Sequence, residues 1–322
     1  MKIFPRRLDQ HTGGYLAQRR RKRTSILLAV AAAACLITAT IVHLGRSGRL
    51  VSAKAKPVSK QSILDDWDAK KWDEVRADSL ASLAAAPLDS FYLGFKGLAS
   101  FYKAMELPEG EDRAALLDES IFSIRKALVV AGRSAPRAQM EYVLGKAYYH
   151  KGASYYDEAV KYIEASLLSG FSAADSREYL ALAYAGLGQK DKAVSNFEAA
   201  LTVKKTDLLL LAAARAQLDA GAADKAEALL LEAISMGTDE LAREKCRFLL
   251  GEIYQSRGDG LRAEEQYSLI LKKDSESAEA HYRLGLVFQE RGDQMRARAE
   301  WRKAVALDPM HAASRQKLTE KL

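Results

Sequence analysis

The sequence predicts an all-helical protein built from stacked helical hairpins, and three observations predict it. Through His281–Pro309 (HYRLGLVFQERGDQMRARAEWRKAVALDP), apolar residues recur at three- and four-residue steps. Leu284 and Phe288, then Ala297, Trp301, Ala304 and Leu307, give each of two helices one apolar stripe. The same chemistry stands 34 residues upstream, where Leu250, Gly251, Tyr254, Ala263 and Tyr267 hold the matching places. Glycine and proline are sparse, 20 and 6 in 322 residues, and no long stretch alternates with period two, which argues against a sheet.

Within the hairpin at His281–Pro309, Gly285 and Ala297 are the small residues that let two backbones approach. Gly292-Asp293 breaks the helix, and Asp308-Pro309 stops its partner. Such a hairpin cannot bury its apolar stripes alone, so copies must flank it. Leu284-Gly285, Phe288, Ala297, Trp301, Ala304 and Pro309, with His281 at the leading aromatic place, resemble the tetratricopeptide repeat. The resemblance covers roughly residues 62–322, tightly in the last four units and loosely in the first two. It implies a right-handed α-solenoid of about seven units, closed by a capping helix over 312–322 with Leu318 on one face.

In order, the first unit opens at Ser62 with a short helix, followed by Lys70–Pro87 as its second helix. The second runs from Phe91 to Leu128. About nine extra residues interrupt it, read as an elongated loop or a longer helix pair around Pro108-Glu109-Gly110. The third carries Leu144-Gly145, Tyr148 and Gly152, then a two-residue insertion before Ala159 and Ile163. The fourth has standard spacing (Leu180-Ala181, Tyr184, Gly188, Ala193, Phe197, Ala200). The fifth is degenerate (Ala214, Gly221, Ala226, Leu230, Ala233), and three extra residues near Met236-Gly237 lead to the sixth.

The net charge of +7 is unevenly placed. Residues 1–60 hold 13 Lys and Arg against the single acid Asp9, leaving a net of −5 for the rest. The helical part is mildly acidic, which argues against nucleic acid as the partner. Ile26–Leu44 is 19 residues without a charge, and as a helix would span about 28 Å, enough for a bilayer core. Residues 1–25 form a basic tail ending in Arg19–Arg23. Eight basic residues precede the apolar run and five follow it, so the positive-inside rule favours an N-in, C-out single-pass anchor. That places the repeats on the extracytoplasmic side. Twenty-five residues before the run argue against a cleaved signal, and Ala32 three before Cys35 argues against a lipoprotein signal. Cleavage, acylation at Cys35 and a buried globular helix remain alternatives. Residues 45–61 read as a basic, flexible linker.

Cys35 and Cys246 cannot pair with each other, and the five histidines never reach ligand spacing with Cys or carboxylates. No phosphate loop and no nucleophile elbow is present, so neither a cofactor nor catalysis is expected. What remains is surface recognition. In the family resembled, the first helices of successive units line a concave groove. Carried over to this chain, the groove positions include Tyr142, Lys146 and Tyr149; Asp175 and Glu178; Leu208, Leu211 and Arg215; Phe248 and Glu252; and Tyr282 and Gln289. The family's carboxylate clamp of Lys and Asn is absent. Aromatic and leucine side chains with scattered charges suit a partner helix or an extended peptide. For Leu208 and Leu211, packing between units is a second reading. The expected role is a membrane-anchored scaffold in a bacterial envelope assembly; a cytoplasm-facing regulator and a glycan-binding accessory protein are the alternatives.

Overall fold

The computed structural model describes residues 58–131, 136–237 and 239–320. The basic tail, the apolar segment Ile26–Leu44 and residues 45–57 of the linker lie outside the described residues. Among those described, no helix is long and apolar enough to cross a membrane.

Among the described residues, fifteen α-helices follow one another: α1 (Lys60–Asp68), α2 (Trp72–Ala85), α3 (Ser90–Glu106), α4 (Glu111–Val130), α5 (Arg137–His150), α6 (Tyr156–Leu168), α7 (Ser176–Gly186), α8 (Lys190–Val203), α9 (Asp207–Asp219), α10 (Ala223–Met236), α11 (Glu240–Ser256), α12 (Gly260–Lys273), α13 (Ala278–Glu290), α14 (Gln294–Leu307) and α15 (Ala312–Thr319). They pair as seven hairpins, with α15 left as the closing helix. Each hairpin packs on the next, and successive first helices also touch, α1 on α3, α3 on α5, α5 on α7, α7 on α9 and α9 on α11. This added contact on one side makes the first helices the inner, concave wall and leaves the second helices outside.

The spacing inside a hairpin is set by close approach. A Cβ on Gly285 would lie 2.3 Å from Nε1 of Trp301, and one on Gly251 would lie 2.4 Å from the Tyr267 ring. Trp301 fills that space and donates its indole N–H to the Tyr282 carbonyl at 3.2 Å. The turn between α13 and α14 needs Gly292 at φ +79°, a left-handed conformation that costs an L side chain about 1 kcal/mol or more. Asp293 then caps α14, accepting from the Arg296 backbone N–H at 3.0 Å. Across three of the hairpins a polar pair recurs: Arg177 to Asn196 (3.0 Å), Arg247 to Gln266 (3.1 Å) and His281 to Glu300 (2.6 Å). His281, expected only as an aromatic filler, is thus also the buried end of a hydrogen bond.

The irregular places resolve as follows. In the second unit the insertion lengthens both helices, to 17 residues in α3 and 20 in α4, and no long loop forms. The two extra residues of the third unit are taken up by a 3-10 turn at Ala153–Tyr155. Extra length near Gly237 goes into its left-handed C-cap and into α11, which has 17 residues against 13 in α13. The first helix starts at Lys60, two residues before the expected Ser62, because Ser59 caps it by accepting from the Ser62 N–H. At the far end, Leu318 of α15 packs on the last core cluster, and Arg298 donates to its carbonyl at 2.8 Å.

Candidate functional site

The concave wall is formed by α3, α5, α7, α9, α11 and α13, and the expected groove residues are distributed along it with unequal exposure. Tyr142 is 7% exposed and Leu211 5%, so both are packed largely into the wall, where the family resemblance implies open groove positions. Tyr142 is covered by the next unit, since its hydroxyl donates to the Asp175 carboxylate. Leu211 joins the core, whereas its neighbour Leu208 is 56% exposed. The two leucines that the sequence treats alike therefore have different roles.

Around Tyr142 lies a polar and aromatic cluster between α3, α5 and α7. Lys146 forms an ion pair with Asp175 at 2.9 Å and donates to the Tyr142 hydroxyl at 3.0 Å. Its ammonium also sits 4.5 Å from the centre of the Tyr179 ring and 5.6 Å from that of Phe101. Burial alone would raise the Asp175 carboxyl, but hydrogen bonds from Tyr142 and Lys146 overcome it and hold the group below the usual carboxylate range. His150 is pushed down to about 4, first by burial and then by the nearby Arg113 and Lys146 cations. Its Nδ1 lies 3.2 Å from the Arg113 guanidinium, which can only donate, so the neutral ring accepts there. Nε2–H then faces the Tyr179 hydroxyl at 3.1 Å. Tyr149 completes the cluster, stacked on Tyr156 at 5.4 Å and edge-on to Tyr179 at 5.2 Å.

Further along, Leu182, Ala185, Leu208, Leu211, Ala212 and Arg215 line a concavity of about 370 Å³ between α7 and α9, with Arg215 exposed at its rim. Glu178 stands beside it, 3.8 Å from Lys204. Between α11 and α13 the surface turns ionic: Arg283 bridges Glu252 (2.8 Å) and Glu279 (2.5 Å), and His311 reaches Glu279 at 3.1 Å. Tyr282 lies against the His311 ring at 5.2 Å, and Phe248 and Gln289 are half-buried beside them. A further concavity, about 430 Å³ between α3 and α5 with Trp67 of α1 at its side, is lined by Phe91, Phe95, Leu98, Gln139 and Met140, of which only Gln139 falls on a groove position implied by the resemblance. The signal for its register was Gly97, whose Cβ would meet Ile124 at 2.6 Å just as Gly285 meets Trp301.

Residues 178–207, which span α7 and α8, match the sequence profile of the tetratricopeptide repeat. The C-terminal part of a tetratricopeptide repeat-containing protein from Cytophaga hutchinsonii superposes on 81% of this chain and 100% of its own, with a TM-score of 0.61 at 13% identity. The chain has the tetratricopeptide-repeat fold. A tetratricopeptide repeat protein from Parabacteroides merdae covers 80% of this chain and 95% of its own, with a TM-score of 0.47 at 18% identity. Among curated proteins, no sequence matches this chain. Proteins of the tetratricopeptide-repeat fold generally serve as scaffolds for protein–protein interaction.

Proposed function

We propose that this chain is a non-catalytic, membrane-anchored scaffold that holds a protein partner in the concave groove of its repeats. Ile26–Leu44 is the anchor with the basic tail inside, and the repeats stand on the extracytoplasmic, periplasmic side within a bacterial envelope assembly. The observation that carries the binding role is the concave wall itself. Two separate concavities, at α3/α5 and α7/α9, are lined chiefly by aromatic and aliphatic side chains; Trp67, Phe91 and Phe95 in the first and Leu182 and Leu208 in the second stay partly or wholly exposed, with exposed Arg215 at the rim of the second. Such sockets accept side-chain anchors from an extended peptide or a helix. Tethering beside a membrane raises the partner's effective concentration there.

Affinity capture on the full chain tests the groove, with Phe91→Ala, Leu208→Ala, Phe248→Ala and Tyr282→Ala in separate variants. Loss of the same captured protein from at least one of them is expected; an unchanged set of partners removes the groove as the binding surface. A topology reporter fused after Leu322 tests the orientation. Activity on the cytoplasmic side only would remove the extracytoplasmic placement while leaving the groove standing.

A further inference from the structure

In a stack of hairpins, all first helices run one way and all second helices run back. The turns between hairpins therefore share one edge, and the turns within hairpins share the opposite one. Large apolar side chains left exposed are divided unequally between these edges. Among the described residues, ten of sixteen lie at the between-hairpin edge, three at the opposite edge and three on the outer face. Four of the ten lie in the last turn of the second helix in four adjacent units: Val129 (82% exposed), Leu168 (89%), Val203 (60%) and Met236. Isolated exposed leucines are ordinary on protein surfaces. Ten such side chains along one edge, against three along the other, are a larger apolar patch than isolated exposure gives.

The chain itself says what faces this edge. Residues preceding Val58 join the repeats there. The Val58 N–H donates to Ser82 Oγ at 3.0 Å, and Lys60 pairs at 3.1 Å with Asp89, in the turn between α2 and α3. Thirteen residues, 45–57, separate this point from the apolar segment; even fully extended they reach only about 45 Å. Two acidic residues on the edge are turned back onto backbone N–H groups, Asp89 accepting from Phe91 at 2.8 Å and Asp239 from Ala242 at 3.0 Å, and Glu232 is paired with Lys205 at 2.6 Å. They do not cover the apolar row.

We infer that the between-hairpin edge rests on the lipid surface, with Val129, Leu168, Val203 and Met236 dipping into the boundary between head groups and acyl chains. The inference rests on reading Ile26–Leu44 as a membrane anchor. The apolar part of such contact does not need anionic lipid, so it is present on zwitterionic lipid. It holds the concave groove side-on to the membrane, so that a partner can thread along the bilayer.

The full chain reconstituted in phosphatidylcholine vesicles tests this. A single environment-sensitive fluorophore is placed at Leu168→Cys or Val203→Cys in a Cys35→Ala background; Cys246 is buried and its thiol is pushed up to about 11 by burial, which keeps it from labelling. Leu261→Cys, on the opposite edge, is the control. Spin-labelled lipid should quench most of the emission at 168 and 203 and leave 261 unchanged, while aqueous iodide should do the reverse. Iodide quenching at all three sites overturns the inference. Shielding of 168 and 203 from both quenchers also overturns it, since protein (a partner or a second copy) would then cover the edge. Failure of the chain to float with vesicles overturns the anchor reading together with the inference. Flotation without lipid quenching overturns the inference alone.

Discussion

Gly285→Ala measures how tightly the last hairpin is closed. The added Cβ would lie 2.3 Å from Trp301 Nε1 and 2.6 Å from Cδ1, where ordinary contact begins near 3.4 Å, so the indole or the helix must move by about 1 Å. Trp301 is 2% exposed and its N–H is engaged by the Tyr282 carbonyl, which leaves it no free direction. Overpacking of this kind costs about 1–3 kcal/mol, against about 1 kcal/mol returned by replacing glycine with alanine inside a helix. The net is about 1 kcal/mol of destabilisation, which corresponds to roughly fivefold faster amide exchange by local opening. Because repeat stacks are nearly one-dimensional, the loss should stay local. Hydrogen exchange read by mass spectrometry should rise in peptides from α13 and α14 and remain unchanged in α1 to α3. Ala181 and Ala214 hold the same place opposite Phe197 and Leu230, where alanine already fits. Unchanged or slower exchange in α13 and α14 would refute the claim that Gly285 sets the spacing against Trp301.

Two further predictions concern the cluster at α5 and α7. His150 has a folded value of about 4, below the ordinary 6.5, so the unfolded chain takes up the proton first. Its contribution to stability is full above about pH 6.5 and is lost as the pH falls towards 4. The urea midpoint should drop between pH 7.5 and pH 5, and His150→Gln should flatten that slope. Lys146→Met strands the Asp175 carboxylate with Tyr142 alone and should cost about 1–3 kcal/mol in urea unfolding, while Lys146→Met with Asp175→Leu should recover most of it. A double variant no more stable than the single one would show that the pair does not act as a unit.

The seven hairpins are legible in the sequence because α11 to α14 keep every spacing marker, from Leu250-Gly251 to Trp301 and Pro309, and so give a register for the rest. Legibility fails where contacts cross unit boundaries. The family resemblance implies that Tyr142 faces inward, but it cannot show that Asp175 of the next unit covers it. Arg113 enters the cluster from the lengthened α4, in the stretch that the repeat pattern treats as surplus. The α3/α5 concavity is hidden for the same reason: its marker is Gly97 against an isoleucine, Ile124, and the family's aromatic is missing there. The polar pairs at Arg177–Asn196, Arg247–Gln266 and His281–Glu300 could have been found, since each joins residues 19 apart within a unit. The difficulty is that the residue types change from pair to pair.

The aromatic packing of the first unit has a mechanical consequence. Trp67 meets Trp72, Phe95 and Tyr102 at ring distances of 5.0, 5.3 and 5.5 Å, and the Val58 carbonyl accepts from the Tyr92 hydroxyl at 2.8 Å. Tension applied through the residues before Val58 would enter the stack at this point. It would have to peel α1 off α2 and α3 before any later hairpin felt the load. The first unit would then act as a clasp, and later hairpins would give way one at a time only after it opened.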